Sequence, residues 1–276
     1  MHWLYWLLGF VLFFSFLFAV LSYSLYWYET ANQKNDRISF GLLLLGMLDS
    51  TLGVVFLALT YPLGRLKWVR EPAAPGKNGP VIICLHGLFH NPSAWLLVRF
   101  RLRRAGFANC YCPAYRSFTN DIPGALEELT PKIEAILKRH PEQGIIFLGH
   151  SLGGLLSLGL GSKNNFWPTQ LIITMGTPFR GSKMAVFGLS RLARSLHPDS
   201  PELETLRSGI DWDTSIPGMA LYTATDNMVL PRSSLKAPPQ KWELHETGPI
   251  SHMGMLWNKK AAKKIIDSIL DIQTGK

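Results

Sequence analysis

Two long apolar stretches open the chain, and short apolar runs alternating with amphipathic ones fill the rest. Between residues 3 and 28 no side chain is charged. At about 1.5 Å per residue, a helix of that length exceeds the ~30 Å hydrocarbon thickness of a bilayer. Trp3, Tyr5 and Trp6 stand at one end and Tyr23, Tyr26, Trp27 and Tyr28 at the other, an arrangement that suits two membrane–water interfaces. The stretch lacks the basic start, short apolar run and small-residue cleavage site of a removed leader, which predicts a retained span. A polar loop, 29–37, leads to a second apolar run, 40–63, interrupted by Asp49, Ser50, Thr51 and Thr60. A carboxylate at the centre of a span costs roughly 2.5–3.5 kcal/mol on insertion scales. Asp49 is therefore expected to be bonded within the helix pair.

The pattern changes after a Pro/Gly-rich stretch, EPAAPGKNGP at 71–80. Apolar runs at 81–85, 107–111, 145–148, 171–175, 219–223 and 241–245 predict strands. Several are continuously apolar, as strands buried on both faces are. Helical periodicity at 93–105, 122–140, 151–161 and 259–272 separates them. Such alternation predicts an α/β architecture, a parallel sheet covered on both sides. The chain is thus expected to divide into a 1–70 membrane anchor, a 71–80 linker and an 81–276 α/β domain.

Charge refines this picture. The formal net charge is +9. The densest basic run, Arg99, Arg101, Arg103 and Arg104, alternates with apolar residues, as on the wet face of an amphipathic helix. No nucleic-acid-binding motif accompanies it, so no nucleic-acid partner is expected. Anionic headgroups suit the excess better. Arg65, Lys67, Arg70 and Lys77 follow the second apolar run, against Lys34 and Arg37 in the loop. By the positive-inside rule this predicts a protein of a bacterial inner membrane whose C-terminal domain faces the cytoplasm. The three cysteines, Cys84, Cys110 and Cys112, form no disulfide framework and no zinc-ligand spacing. Buried thiols are expected, with no metal and no cofactor.

The candidate chemistry falls at strand ends. The strand at 145–148 runs into Gly149-His150-Ser151-Leu152-Gly153 and then a helix. A serine on so sharp a turn has strained backbone angles and an exposed hydroxyl, and its neighbours at −2 and +2 must be small. Ser151 is the expected nucleophile. A base and an orienting acid must follow it in the chain. Of His197, His245 and His252, the last sits in a loop, GPISHMGM, able to aim an imidazole at the serine. Asp226 lies just past the 219–223 strand, whereas Asp211 and Asp213 lie before it and suit turn or capping roles. The backbone N–H groups of Leu88 and Leu152 are the expected oxyanion donors. His86 is expected to brace its loop, and His150 to pack or line the pocket.

Together LHGLF at 85–89, GHSLGG at 149–154, MGTPFRGS at 175–182, TATDNMVLP at 223–231 and ISHMGML at 250–256 resemble the lipase branch of the α/β-hydrolases. That branch includes the bacterial triacylglycerol lipases and the membrane-bound inositol deacylases of GPI anchors. The resemblance covers most of 81–270. It implies an α/β-hydrolase fold with a reduced, mostly parallel sheet of about six strands, here joined to an N-terminal transmembrane hairpin. It also implies hydrolysis of acyl-lipid esters through a Ser-Asp-His triad and an acyl-enzyme, with the membrane as a further partner. A cap is expected at 183–217. Its Met184, Val186, Phe187, Leu189 and Leu192 either receive acyl chains, touch the membrane or pack on the sheet. The same triad would serve a thioesterase or amidase. A non-catalytic scaffold would have lost a triad member, and a transporter would leave the serine motif unexplained.

Overall fold

A computed structural model describes residues 2–31, 38–76, 78–163, 167–210, 212 and 216–274. Lys34, Arg37, Lys77, Asp211 and Asp213 lie outside these residues.

Two helices, α1 (His2–Thr30) and α2 (Phe40–Thr60), pack against each other at the start of the chain. Both are long and apolar enough to cross a membrane. A 3-10 turn (Tyr61–Arg65) and a short α3 (Lys67–Arg70) lead to the sheet. Its strands are β1 (Val81–Leu85), β2 (Cys110–Tyr111), β3 (Ile145–His150), β4 (Thr169–Met175), β5 (Gly218–Tyr222) and β6 (Glu243–Glu246). They lie in the order β2-β1-β3-β4-β5-β6, every adjacent pair parallel. The helices between them are α4 (Leu96–Arg104), α5 (Ile122–Leu137), α6 (Leu152–Lys163), α7 (Arg191–Arg194) and α8 (Pro201–Ser208), and α9 (Lys259–Thr274) follows β6.

Side chains alternate across each strand, so one apolar run feeds two cores. Ile83, Leu85 and Phe147 pack with Leu129 of α5 and Leu155 of α6. Ile82, Cys84, Ile146 and Leu148 pack with Val98 of α4 and Ile265 of α9 on the other face. The three thiols are buried in this second layer, with their sulfurs within 4.8 Å of one another. Sequence spacing hides that convergence because Cys84 comes from the strand beside Cys110.

Two expectations for the helical pair change. Tyr23 and Tyr26 do not belong to an interfacial belt. Both are fully buried, and their hydroxyls donate to the carbonyls of Thr225 (2.9 Å) and Ala224 (2.8 Å). A buried phenol needs an acceptor, and a strand-end loop has spare carbonyls. Asp49 is not bonded within the pair either; its partners lie in the loop before α9, as described below. The 107–111 strand shrinks to two residues because Ala105 and Phe107 still bond back into the last turn of α4.

Candidate active site

The chain enters the serine turn from β3 and leaves it into α6. Ser151 has φ +55°, a left-handed conformation that costs a non-glycine residue about 1–3 kcal/mol. The turn is held by Ser151 N–H to the Met175 carbonyl (2.8 Å) and Gly154 N–H to the Ser151 carbonyl (3.0 Å). Any side chain at 149 would run into the backbone of Gly153 and Gly154, and one at 153 into the Leu85 backbone. The small neighbours let helix and strand approach. Gly154 makes room for Thr177, whose hydroxyl donates to the Ser151 carbonyl (3.1 Å).

Asp226 follows β5 and is fully buried. Its Oδ1 accepts from the N–H groups of Met228 and Val229, both at 2.9 Å. Its Oδ2 lies 2.7 Å from Nδ1 of His252. That contact puts the ring proton on Nδ1 and leaves Nε2 as the free acceptor. Ser151, His252 and Leu88 line one cavity of about 350 Å³. Among the described residues no hydrogen bond joins the Ser151 hydroxyl to His252; such bonds tighten when substrate binds. Leu152 begins α6, so its N–H has no acceptor within the helix. The Leu88 loop turns sharply through Phe89, at φ +57°.

Residues 82–266 match the family described as "Alpha/beta hydrolase family". The chain belongs to it. No curated protein matches this hydrolase in sequence. Solved structures similar to it include a monoacylglycerol lipase of Paleococcus ferrophilus, with 14% identity and a TM-score of 0.54 over 70% of this chain and 96% of that one. A Bacillus licheniformis lipase, BlEst2, shows 17% identity and a TM-score of 0.57, over 72% and 95%. EstE7, a hormone-sensitive-lipase homologue from a metagenome library, shows 17% and 0.61, over 85% and 97%. At such identities the likeness is one of fold.

Three more histidines crowd this hydrolase's cavity side, and burial keeps them neutral. His86 is lowered to about 4; its ring stacks on Tyr115 at 4.2 Å, and the Tyr115 hydroxyl donates to its carbonyl. His90 is lowered to about 3 by burial and by the proximity of the His86 and His252 rings. His150, which lines the cavity, is held well below the usual range for the same reasons, and its Nε2 lies 3.1 Å from the His252 carbonyl. Among these rings only His252 has a carboxylate at hydrogen-bond distance. His197 lies half-exposed, 4.0 Å from Asp199, and His245 lies on edge strand β6; neither lines the cavity.

The expected cap residues divide. Met184 lines the cavity, Leu192 is buried, and Val186, Phe187 and Leu189 are exposed.

The sequence reading missed the residues that hold the acid and histidine loops from α1 and α2. Ser251 donates both its N–H (2.8 Å) and its O–H (2.6 Å) to Asp49 Oδ2. Trp257 Nε1 donates to Asp49 Oδ1 (3.2 Å). Ser251 Oγ also accepts from Gly254 N–H (2.9 Å), so the tether grips both flanks of His252. Asn227 accepts from His252 N–H (3.2 Å) and donates to Ser22 Oγ (2.7 Å). A lone carboxylate in an apolar run was the available signal, since it must find donors somewhere.

Asp49→Asn would turn an amide N–H₂ toward some of these donors and loosen the histidine loop. Misplacing a reacting group by about 1 Å can cost 10²-fold. We expect kcat to fall by about 10- to 100-fold with KM little changed. Steady-state kinetics and thermal unfolding of the same detergent-purified sample check this. A parallel fall in melting temperature and rise in KM would mark Asp49 as merely structural.

Proposed function

We propose that this α/β-hydrolase cleaves carboxylic esters of acyl lipids at a membrane. Ser151 attacks the ester carbonyl, and His252 Nε2 takes its proton. Asp226 fixes the tautomer of His252 and stabilises the imidazolium that forms. The N–H groups of Leu88 and Leu152 receive the oxyanion, each such donor being worth about 10²–10³ in rate. His252 then protonates the leaving alcohol, and water releases the acid from the acyl-enzyme. The relatives in fold titled lipases favour esters over other acyl bonds.

The observation that carries the reading is the cavity. It holds a serine on a strained turn and a histidine bonded to a buried carboxylate, and its other walls are mostly apolar. Phe18 from α1 and Val54, Leu57 and Ala58 from α2 form one wall, and Met184 and Leu196 stand in another. Such a lining suits an acyl chain rather than a polar acyl group. The described residues of the 183–217 stretch, through Met184, Ala185 and Leu196, act as the cap over it. The apolar helices hold the enzyme at the bilayer from which such esters come.

Labelling with a fluorophosphonate tests this. The detergent-purified protein is expected to take up one reagent, and peptide mass spectrometry should place it on Ser151. A protein that takes up none and hydrolyses no p-nitrophenyl acyl ester would refute the hydrolase reading.

A further inference from the structure

The C-terminal third of α1, the middle of α2 and the turn that follows α2 all have polar partners on the hydrolase domain. At the loop end of the pair, Lys183 Nζ meets Glu29 Oε1 at 2.7 Å. Midway, Ser22, Tyr23 and Tyr26 of α1 and Asp49 of α2 bond to the 224–227 and 251–257 segments. At the far end Asn91 donates to the Tyr61 carbonyl (2.8 Å), and Arg99 donates to the carbonyls of Trp68 (2.9 Å) and Val69. α1 and α2 run antiparallel, since Tyr23 of α1 packs on Gly46 of α2 while Phe18, earlier in α1, lines the cavity with Val54 and Leu57, later in α2. Glu29 and Tyr61 therefore mark opposite ends of the pair. The 21 residues of α2 between them rise about 32 Å.

That length equals the ~30 Å hydrocarbon thickness of a bilayer. If the pair crossed it, the hydrolase domain would have to lie at every depth beside the helices. Lys183 and Asn91 would stand at opposite membrane faces, and the strand-end loops between them would stand in lipid. Irregular backbone and charged side chains are not tolerated against lipid.

The outward face of the pair is different. Phe10, Phe13 and Phe16 of α1 and Leu45, Leu48 and Leu52 of α2 are exposed. That apolar face is too large for a free surface in water. At one end of it stand exposed Trp68 with Arg65 and Lys67, the residue types that sit among anionic headgroups.

We propose that the helix pair is monotopic. It lies on the hydrolase domain like a plate and sinks its outward face, together with the first turns of α1, whose residues 5–10 are exposed all round, into one leaflet, so both of its ends and the whole domain share one side of the membrane. This rests on the membrane part of the reading above, not on its chemistry. The plate's inner side walls the cavity through Phe18 and Val54, so the leaflet and Ser151 lie on two sides of the same helices.

The test is a topology measurement on the full chain in a bacterial host. Ser39→Cys, exposed at the loop end, and Glu142→Cys, exposed on the hydrolase domain, each carry one reporter thiol. The native thiols are buried, so the parent protein supplies the blank. Right-side-out and inverted inner-membrane vesicles are treated with a membrane-impermeant maleimide. Both variants are expected to label in the same vesicle orientation, with loss of labelling in the other. Labelling of Ser39→Cys from one side and Glu142→Cys from the other would overturn the proposal in favour of a crossing hairpin. Recovery of the protein in the soluble fraction would overturn it in favour of another occupant of the apolar face. Neither result depends on activity, so failure here is distinct from failure of the hydrolase reading.

Discussion

Replacing Ser151 by alanine is expected to lower kcat by about 10⁶-fold, close to the residual rate that cavity and oxyanion donors supply alone. The magnitude follows from what is lost. In the proposed mechanism the serine oxygen is the atom that bonds to the acyl carbon, and among the described residues no second hydroxyl on the cavity wall occupies a strained strand-to-helix turn. The substitution removes one oxygen and leaves the turn's backbone bonds to Met175 and Gly154 in place, so folding should survive. Because serine and histidine act as a unit, Ser151→Ala with His252→Ala should be no slower than either alone. Hydrolysis of a short-chain p-nitrophenyl ester by the four proteins measures this. More than about a hundredth of the parent rate in Ser151→Ala would place the nucleophile elsewhere.

Asp226→Asn should lower kcat by about 10³- to 10⁴-fold with KM nearly constant. The carboxylate is acceptor-only, and all its described partners are donors: two backbone N–H groups on Oδ1 and the His252 ring on Oδ2. An amide cannot serve both sides. With its N–H₂ toward the loop it faces the Met228 and Val229 donors. With its N–H₂ toward the histidine it forces the ring proton onto Nε2, the atom that must accept from Ser151. The first orientation leaves the loop donors unpaired and the imidazolium without its counter-charge, the second removes the base, and the side-chain shape is unchanged in both. Stopped-flow labelling and steady-state turnover should fall together, with a melting temperature near that of the parent. A loss below about tenfold would show that Asp226 does not orient the base.

The sheet was legible because its central strands are buried on both faces and so read as unbroken apolar runs; β1 kept its limits, β3, β4, β5 and the edge strand β6 moved by one or two residues, and β2 shrank to two residues. Ser151 was legible because Gly149 and Gly153 are required by local backbone contact, and local requirements leave local marks. His252 and Asp226 were reached by chain order, and the fold brings the pair to 2.7 Å. The Asp49 tether was not legible, since its partners lie 202 residues away. Tyr23 and Tyr26 were misread for the same reason. An aromatic in an apolar helix suits an interface or a core equally, and only the distant 224–225 carbonyls decide. The cap divided as it did because its helices, Lys183–Phe187 and Arg191–Arg194, are too short for periodicity to assign a face.

Those long-range links carry a consequence for biogenesis. Synthesis proceeds from the N-terminus, so Ser22 and Asp49 are made early and wait for Asn227 and Ser251. Closing loops of that length slows folding, because the chain entropy is lost before the contacts form. Until the last quarter of the chain arrives, the Asp49 carboxylate lacks its donors and the histidine loop does not exist. Under the proposed mechanism a nascent chain therefore has no hydrolase activity until its last segments have docked on its first helices.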